Sequence, residues 1–411
     1  MPPPPPELPA ELVEEIFLRL PPDDPGCLFR ASLVSESWLR RLAGPAFRRR
    51  YCEFHRTPPM LGFLTSGQAG EDLMNNTHFV PTVKLCPPGP GHKYLQALDA
   101  RHSRILFLTD PEDSIRVPRE LIIWDPITLE EWTIPDPGLS SWAAVLCAKE
   151  GCDHLDCHGH PFLVACVSLG DEEFSCSAIL YSSETDSWSD ETSVDHDEEH
   201  LTCYTYVDYM PPNVLVGNTL YFDCHPFRII IQYDLADREL SLIDTPDVQD
   251  SVDGQLTVEN DVLGFAKIKE SSIYLWLREV DEHGAAAWVQ LRVIKLEKMF
   301  SSGALSTKPT MYAFAEGVGV IFLWGKVGLF MIDLKSGRAK KVCYQGKSSI
   351  SIIPYMSFYT PASGIQVFPC CLVEIWNSEI KNYYIKVWVP NLFILLEFLV
   401  HRWSDSDQRS S

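Results

Sequence analysis

Basic residues are scarce in this chain. Its 411 residues include 34 lysines and arginines against 56 aspartates and glutamates, which gives a formal net charge of -22 at pH 7. A surface this acidic repels a phosphate backbone, so we expect no nucleic acid among the partners.

Long apolar runs are missing as well. The longest one, from Val387 to Val400, is interrupted by Pro390 and Glu397, and it is shorter than the ~20 residues that a membrane-spanning helix needs. We therefore expect no membrane partner.

The N-terminus lacks the basic start and the apolar segment of a signal peptide, since Met1 is followed by a run of prolines (residues 2–6). We expect a disordered, proline-rich start over residues 1–7 and a location in the cytoplasm, the nucleus or both. In those compartments the 13 cysteines are reduced thiols rather than a disulfide framework.

What is present indicates a folded protein of two parts. Hydrophobic residues make up 45% of the chain and aromatic residues 11%, with 11 tryptophans, as is typical of packed globular domains. The length exceeds that of one simple core. We expect two domains, or one small module followed by a repeat array.

Apolar residues recur at helical spacing near the N-terminus. One stripe of a short helix consists of Leu12, Val13, Ile16, Phe17 and Leu20. Asp24-Pro25 predicts the start of a second helix, and Gly44-Pro45 predicts the end of the apolar series. Three helices over about 45 residues bury too little surface to be stable alone, so the module needs a partner. A helical cap packed on the following domain would also meet this need.

The spacing of the apolar and proline residues in this module matches an F-box. The matching residues are Leu8, Pro9, Leu12, Ile16, Leu20, Pro21, Leu28, Val34 and Trp38. The segment 8–53 therefore resembles the F-box family, whose three-helix module docks on a Skp-type adaptor and through it on a cullin. The resemblance implies that these residues bind the adaptor.

Two features stand out within the module. Many F-boxes carry Cys and a basic residue after the valine, where this chain has Ser35, Glu36 and Ser37; the difference is expected to weaken adaptor affinity at most, not to abolish the fold. A basic string contrasts with the acidic remainder of the chain and consists of Arg40, Arg41, Arg48, Arg49 and Arg50. A solvated helix end explains this string, and contact with an acidic partner is the alternative.

From about residue 100 the pattern changes to short apolar runs separated by turn residues, which predicts an all-β domain. Hairpin-like units recur at 121–135, 178–190, 229–244, 273–296 and 328–342. Each follows another apolar strand, at 104–108, 162–169, 219–222, 262–268 and 318–324. The units are spaced by about 43 to 57 residues, close to the roughly 50 of a kelch-like propeller blade.

Units of this kind expose apolar faces that only their neighbours can cover, so they predict a closed β-propeller. Residues 55–100 and the stretch after 345 are expected to supply the closing blade. A β-sandwich is the structural alternative, and the regular spacing of whole hairpins argues against it.

An F-box followed by RTPPMLGF (56–63) and this series of hairpins is similar to a large plant family of F-box proteins with a propeller-type, kelch-like associated domain. The similarity runs to YMSFYTP (355–361). It implies an α+β chain with an F-box at 8–53 and an all-β, propeller-like substrate-recognition domain at 54–361. Residues 362–411 do not fit the family and are expected to form an atypical C-terminal tail.

Cysteines and histidines cluster in CAKEGCDHLDCHGHP (147–161), which we call the Cys/His loop. Four zinc ligands could come from Cys147, Cys152, His154, Cys157, His158 and His160. The spacing matches no standard zinc finger, and no second Cys/His pair follows. An inter-strand loop whose side chains pack or face solvent is the simpler interpretation, so we expect neither a metal nor a cofactor.

No other segment predicts catalysis. HDEEH (196–200) places His196 and His200 four apart but lacks the Glu that directly follows the first His in zinc peptidases. This segment lies in an acidic stretch expected to be a solvated loop. Tryptophans at equivalent hairpin positions are expected to be blade core, namely Trp124, Trp132, Trp188, Trp276 and Trp288.

These patterns favour a non-catalytic, substrate-recruiting subunit of an SCF-type cullin-RING ubiquitin ligase. The β-domain is expected to bind a target protein that the sequence does not identify. One alternative is a propeller-fold hydrolase or metal-dependent enzyme with a helical cap. Another is an F-box protein that acts outside any ligase.

Overall fold

The computed structural model of the chain describes residues 9–67, 76–84, 95–109, 118–138, 142–169, 175–195, 211–224, 228–246, 254–281, 283, 285–300, 309–342, 350–361, 373–374 and 385–386. Within these ranges, no helix combines the length and the apolar character needed to cross a membrane. The predicted proline-rich start (1–7) and the HDEEH segment lie outside the described residues.

Four helices open the described chain: α1 (Ala10–Leu18), α2 (Gly26–Ser32), α3 (Glu36–Leu42) and α4 (Pro45–His55). The sequence predicted three, so the fourth helix is a correction. Pro45 starts α4 at a position where its missing N–H removes no hydrogen bond and its ring presets a helical φ. Phe47 and Tyr51, one turn apart, are buried and hold the helix by packing. The helix continues to His55, past the boundary predicted at 53.

The helices pack around one apolar core. Its buried members are Val13, Phe17, Leu18, Leu28, Leu42, Phe47, Tyr51, Cys52 and Phe358. Trp38 packs edge-on against Phe17, with ring centroids 4.9 Å apart. Because Phe358 belongs to the end of the β-domain, that domain completes the helical core. This contact supplies part of the burial that the short helices lack by themselves.

Strands form the remainder of the described chain up to residue 361. A first hairpin consists of β1 (Met60–Gly67) and β2 (Asn76–Pro81). The next sheet consists of β3 (Leu95–Arg101), β4 (Arg104–Thr109), β5 (Glu120–Trp124) and β6 (Glu131–Pro135). It is followed by a sheet of β7 (Trp142–Cys147), β8 (Phe162–Leu169), β9 (Ser175–Ser182) and β10 (Ser187–Trp188), in which β11 (Thr192–Asp195) also pairs with β9.

Three further four-stranded sheets follow in chain order. One consists of β12 (Val214–Val216), β13 (Thr219–Cys224), β14 (Ile229–Asp234) and β15 (Glu239–Asp244). The next consists of β16 (Gly254–Glu259), β17 (Val262–Lys269), β18 (Ser272–Val280) and β19 (Ala286–Lys295), and a 3-10 turn (Leu296–Lys298) follows it. The last consists of β20 (Thr310–Ala315), β21 (Val320–Gly325), β22 (Gly328–Asp333) and β23 (Arg338–Lys341).

The ring closes between its two ends. Strand β24 (Ile350–Met356) pairs antiparallel with β1, so that Leu64 lies opposite Ile353, and the closing sheet has the order β2-β1-β24. The structure is therefore a six-bladed propeller. It confirms that segments from both ends of the propeller build the closing blade. One detail differs, because β3, which starts within 55–100, begins the next blade instead.

Neighbouring blades meet through the first strand of each blade, or through β24 in the closing blade, and share apolar cores. The strands in contact are β3 with β7, β12 with β16, β16 with β20, β20 with β24 and β24 with β3. Leu106 and Ile123 of one blade lie in the same buried cluster as Val145 and Val164 of the next. Because each core needs two blades, the ring is stable as a unit. The β-sandwich alternative is excluded.

An aspartate sets the hairpin turn in several blades. Asp234 and Asp333 end the third strand of a blade, and Asp125 directly follows one. The Oδ1 atom of each accepts two backbone N–H groups from the next three residues. This side-chain turn satisfies donors that the strands leave unpaired. The hairpins predicted at 121–135, 229–244 and 328–342 begin their turns at these aspartates.

The hairpin tryptophans follow the predicted pattern in part. Trp124 and Trp276 are buried, which confirms them as core. Trp132 and Trp188 are half-buried against the cluster shared by the two blades that β3 and β7 begin, and Trp288 donates a hydrogen bond of 2.8 Å to the carbonyl of Asp244. In the predicted tail (362–411), the structure describes one pair of two-residue strands, β25 (Val373–Glu374) and β26 (Ile385–Lys386).

Candidate functional site

Large apolar side chains remain exposed on the helical module. Leu12 is 53% exposed and Ile16 is 51% exposed, whereas Val13 and Phe17, each one residue further along α1, are buried. Helix α1 therefore presents one apolar face to the core and a second one outward. Further exposed apolar residues near α2 and α3 are Leu33, Val34 and Leu39. Exposed apolar groups concentrated on one small module are typical of a binding surface.

The structure divides the residues predicted to bind the adaptor. Exposed positions are Pro9, Leu12, Ile16, Pro21 and Val34, and half-buried positions are Leu20 and Trp38. Leu28 is only 1% exposed and lies in the helical core. It therefore supports the helices that carry the exposed residues. Leu8 lies outside the described residues. The adaptor contacts of all these residues stay predictions.

Leu33 and Leu39 are exposed without having been predicted as contacts. A clear sequence signal was missing, because each lies next to another apolar residue, Leu33 beside Val34 and Leu39 beside Trp38. Only the structure shows that they face outward rather than into the core.

Ser35, one of the three residues at 35–37 that differ from many F-boxes, has a structural role. Its side chain is the N-cap of α3 and accepts the backbone N–H of Trp38 at 3.2 Å. Serine is among the residues that cap helices best. The difference from other F-boxes therefore preserves the helix that carries Trp38.

The basic string pairs with acidic groups of this same chain. Arg48 lies 3.0 Å from Asp156, and Nη1 of Arg49 donates to Asp153 at 2.9 Å. Both aspartates belong to the Cys/His loop. Hydrogen bonding to Arg49 lowers the pKa of the Asp153 carboxyl. The acidic partner of these two arginines is thus a loop of the same chain. The interpretation as a solvated helix end is wrong for Arg48, which is 17% exposed, whereas Arg49 is 43% exposed and stays in contact with solvent.

Aromatic packing joins the helices to the propeller on a second side. Phe29 of α2 lies in a buried cluster with Leu61 and Ile353 of the closing blade. Its ring centroid is 4.9 Å from that of Tyr359, and the rings of Tyr51 and Phe358 are 6.0 Å apart. The segment 357–361, which follows β24, therefore lies against the helical module.

The Cys/His loop connects β7 to β8 and is shaped by two turns. The N–H of Cys152 bonds to the carbonyl of Lys149, and the N–H of His160 bonds to that of Cys157, both at 3.2 Å. Gly151 and Gly159 occupy the third position of these turns with φ of 63° and 69°, which other residues adopt less readily.

These turns bring together side chains of the loop. The sequence predicted only that these side chains pack or face solvent. The Sγ atoms of Cys147, Cys152 and Cys157 and a ring nitrogen of His160 lie within 4.8 Å of one another. His154 and His158 are not members of this group. Instead, His154 stacks on His102 with ring centroids 4.1 Å apart, and His158 hydrogen-bonds to the carboxylate of Asp125.

Groups from the neighbouring blade hold the base of the loop. Nδ1 of His102 accepts the backbone N–H of Cys147 at 3.0 Å. Burial lowers the pKa of His102 to about 3, so its ring is neutral at pH 7 and can accept this bond. The fully buried Arg104 donates to the backbone carbonyl of His160.

A cavity of about 230 Å³ is lined by Asp99, Arg101, Asn213 and Glu316, among others. Burial raises the pKa of the Asp99 and Glu316 carboxyls. Asp99 accepts the N–H of Val145 at 2.9 Å, and Arg101 donates twice to Asn213 at 3.1 Å. Through these bonds Asp99, Arg101 and Asn213 join neighbouring blades.

Comparison with known proteins decides between the families that the fold allows. Residues 6–50 match the F-box domain. Residues 135–362, more than half of the chain, match the β-propeller described as F-box protein AT5G49610-like. The chain belongs to this F-box family. The two domains of this F-box protein are those of an adaptor-type protein that recognises substrates.

A plant relative supports the same family. F-box protein At5g03970 of Arabidopsis thaliana is 21% identical over 382 residues, which cover 85% of this chain and 87% of the relative. Among solved structures, a functionally unknown protein from Desulfotomaculum acetoxidans is 12% identical with a TM-score of 0.36, over 73% of this chain and 84% of that one. U3-55K is 10% identical with a TM-score of 0.35, over 73% and 78%. At these TM-scores and identities, the two solved structures indicate nothing about the function of this F-box protein.

Proposed function

We propose that this F-box protein is a substrate-recruiting subunit of an SCF-type cullin-RING ubiquitin ligase. A Skp-type adaptor binds the exposed apolar residues of the helical module, and through it a cullin joins the complex. A target protein binds the propeller. The observation that carries the proposal is the outward apolar face of α1, where Leu12 and Ile16 are 53% and 51% exposed on a module that matches the F-box.

The energetics of that face favour a protein partner. Covering exposed aliphatic side chains with another surface stabilises the complex by roughly 25 cal/mol per Å² of apolar area removed from water. The inner face of α1 is already used by the core of the module. An adaptor that covers the outer face therefore adds burial without disturbing the core.

The connection between the two domains suits a recruiting function. Three kinds of contact fix the helices on the propeller: the ring pair Phe29–Tyr359, the ion pair Arg48–Asp156 and the insertion of Phe358 into the helical core. A fixed connection sets the distance between a bound target and the rest of the ligase. The gain is then proximity and orientation, with no side-chain chemistry required from this chain.

Co-expression tests the proposal. The full chain carrying an affinity tag is expressed with a Skp-type adaptor and a cullin, purified on the tag and passed through gel filtration. All three proteins are expected in one peak, and omission of the adaptor is expected to leave the cullin behind. Folded full chain that elutes without the adaptor when all three are present would contradict the proposal.

A further inference from the structure

The distances within the Cys/His loop have the pattern of a metal coordination shell. Sγ of Cys152 is 3.8 Å from Sγ of Cys157. Nδ1 of His160 is 3.8 Å from Sγ of Cys147 and 3.7 Å from Sγ of Cys152. A tetrahedral zinc ion, with Zn–S of about 2.3 Å and Zn–N of about 2.0 Å, places neighbouring ligand atoms about 3.5 to 3.8 Å apart. These three separations match edges of such a tetrahedron, and all four ligand atoms lie within 4.8 Å of one another.

We propose that this loop binds one structural Zn²⁺ ion through Cys147, Cys152, Cys157 and His160. Three thiolates and one imidazole form a complete four-coordinate shell, which leaves no open position for a water or a substrate. Thiolate ligands select zinc over the hard cations Mg²⁺ and Ca²⁺. The metal therefore stabilises the loop and performs no chemistry.

A disulfide does not account for the same arrangement. The two sulfurs of Cys152 and Cys157 are 3.8 Å apart, whereas a disulfide bond is about 2.05 Å long. A bridge between these two residues would also leave Cys147 and His160 beside it without a role. A metal ion uses all four groups at once.

The charge balance around the loop fits a metal centre. Zn²⁺ with three thiolates and a neutral imidazole carries one net negative charge. Arg104 is fully buried next to the loop and donates to the carbonyl of His160. Among the described residues, its Nε and Nη1 atoms have no hydrogen-bond partner. A buried guanidinium is costly without compensating negative charge. The carboxylate of Asp125 supplies part of it, and Cys147 and Cys157 also face the guanidinium, so a zinc–thiolate centre adds to this compensation.

Two other side chains near the cluster are not ligands in this assignment. Nδ1 of His154 is 3.7 Å from Sγ of Cys157, but its ring stacks on His102 and lies outside the group of four. Nζ of Lys149 is 3.2 Å from Nε2 of His160. That nitrogen carries the proton when Nδ1 binds zinc, so the exposed Lys149 side chain turns away in the metal-bound form.

The position of the site gives the metal a structural consequence. Between its ligands the loop presents Asp153 and Asp156 to the arginines of α4, and Leu155 packs against the helical core. Zinc fixes the backbone that carries these three residues and so holds the F-box against the propeller. Only the relevance of this orientation for ligase activity rests on the proposed function; the metal site itself does not.

Metal analysis of the full chain tests the site. The protein is purified in reducing buffer with zinc in the growth medium, desalted, and measured by elemental analysis and native mass spectrometry. One zinc per chain is expected. The variant with Cys152→Ser and Cys157→Ser is expected to lose it, whereas His154→Ala and Cys27→Ser are expected to keep it as matched controls. A metal-free wild-type chain, or zinc retained by the double serine variant, would overturn the proposal.

A second measurement covers the case in which the double serine variant fails to fold. Folded wild-type protein is treated with a strong zinc chelator, and accessible thiols are counted by maleimide labelling and peptide mapping before and after treatment. Release of zinc is expected to expose Cys147, Cys152 and Cys157 together. Labelling of these cysteines that is equally fast with and without the chelator, or a Cys152–Cys157 disulfide found in the peptide map, would overturn the assignment.

Discussion

Arg48 of α4 and Asp156 of the Cys/His loop form an ion pair across the boundary between the F-box and the propeller. Nη2 and Oδ1 are 3.0 Å apart, and the two side chains are only 17% and 22% exposed. The i,i+4 pair Arg40–Glu36 within α3 is 75% exposed at both partners. The first pair joins two domains in partly excluded solvent, whereas the second lies in water.

These two ion pairs should differ in energy. We expect a coupling free energy of about 1 kcal/mol for Arg48 with Asp156, and less than about 0.5 kcal/mol for Arg40 with Glu36, because solvent screens the exposed pair. Double-mutant cycles with Arg→Met and Asp→Asn or Glu→Gln, measured by urea unfolding, give both values. Equal coupling free energies in the two cycles would show that the ion pair at the domain boundary stabilises the protein no more than an exposed surface pair does.

The outward face of α1 is expected to dominate adaptor binding. Leu12→Ala together with Ile16→Ala should weaken adaptor binding more than tenfold, because a buried aliphatic anchor typically contributes about 2 kcal/mol. Calorimetric titration of the full chain with a Skp-type adaptor measures the affinity, and circular dichroism verifies the fold.

The matched control for that experiment removes two other exposed aliphatic residues. Val289 and Val293 are 43% and 41% exposed and lie four residues apart on β19, an outer strand of the propeller. Replacing both with alanine should leave adaptor affinity unchanged. Wild-type affinity in the Leu12/Ile16 variant would show that the adaptor docks elsewhere.

Phe29 is expected to be the main apolar link between the domains. It is 8% exposed and lies among residues of the closing blade, so Phe29→Ala leaves a cavity and should lower the free energy of unfolding by about 3 kcal/mol. Phe54→Ala changes the same residue type on the same module at 52% exposure and should cost less than about 1 kcal/mol. Denaturant unfolding of both variants compares them, and similar losses would contradict a buried link at Phe29.

Asp223 should make stability depend on pH. It is 3% exposed, and burial raises its pKa to about 7 although Lys267 opposes the shift. An unfolded aspartate titrates near about pH 3.9. The raised pKa therefore contributes stability that is fully present below about pH 4 and is lost as the pH rises towards about 7, by up to about 1.4 kcal/mol per pH unit.

Asp223→Asn should remove this slope. Denaturant unfolding at several values between about pH 5 and 8 compares the variant with the wild type, and the difference isolates Asp223 from other buried acids. Glu239→Gln, on the exposed start of strand β15 in the same blade, serves as the control substitution. Parallel stability profiles for wild type and Asp223→Asn would mean that Asp223 is ionised in the folded protein.

The outer strands of the blades could be predicted from sequence and the inner ones could not. Apolar runs followed by a turn with an aspartate, such as Asp125 or Asp333, identified the second to fourth strands in most blades. The first strands carry a weaker signal because they crowd around the axis, where small residues fit best. Strand β7 contains Ala143 and Ala144, and β20 contains Ala313 and Ala315. The alanines interrupt the large apolar residues of these strands, such as Trp142 and Phe314, so the apolar run is harder to recognise.

The sequence also could not predict that the side chains of Cys147, Cys152, Cys157 and His160 lie close together in the Cys/His loop. Cys147 ends a strand, and it meets His160 because β7 pairs with β8, with Cys147 opposite Phe162. Cys152 and Cys157 join them through the two glycine turns. The spacing alone resembled no known finger, since the ligands are arranged by a propeller hairpin rather than by a local motif. In the F-box the helical spacing located α1, but it did not show that Leu28 points inward.

The pairing of β1 with β24 has a consequence for biosynthesis. Five complete blades lie between these strands in the chain, so at roughly 5–20 residues per second a ribosome needs on the order of tens of seconds to deliver the partner of β1. Throughout that interval the nascent edge formed by Leu61, Phe63 and Leu64 has no β24 to cover it, and such edges recruit chaperones or other chains. Phe358, which completes the core of the helices, arrives immediately after β24. A messenger RNA truncated before codon 350 thus encodes an F-box that lacks both the completed closing blade on which it packs and Phe358 of its own core.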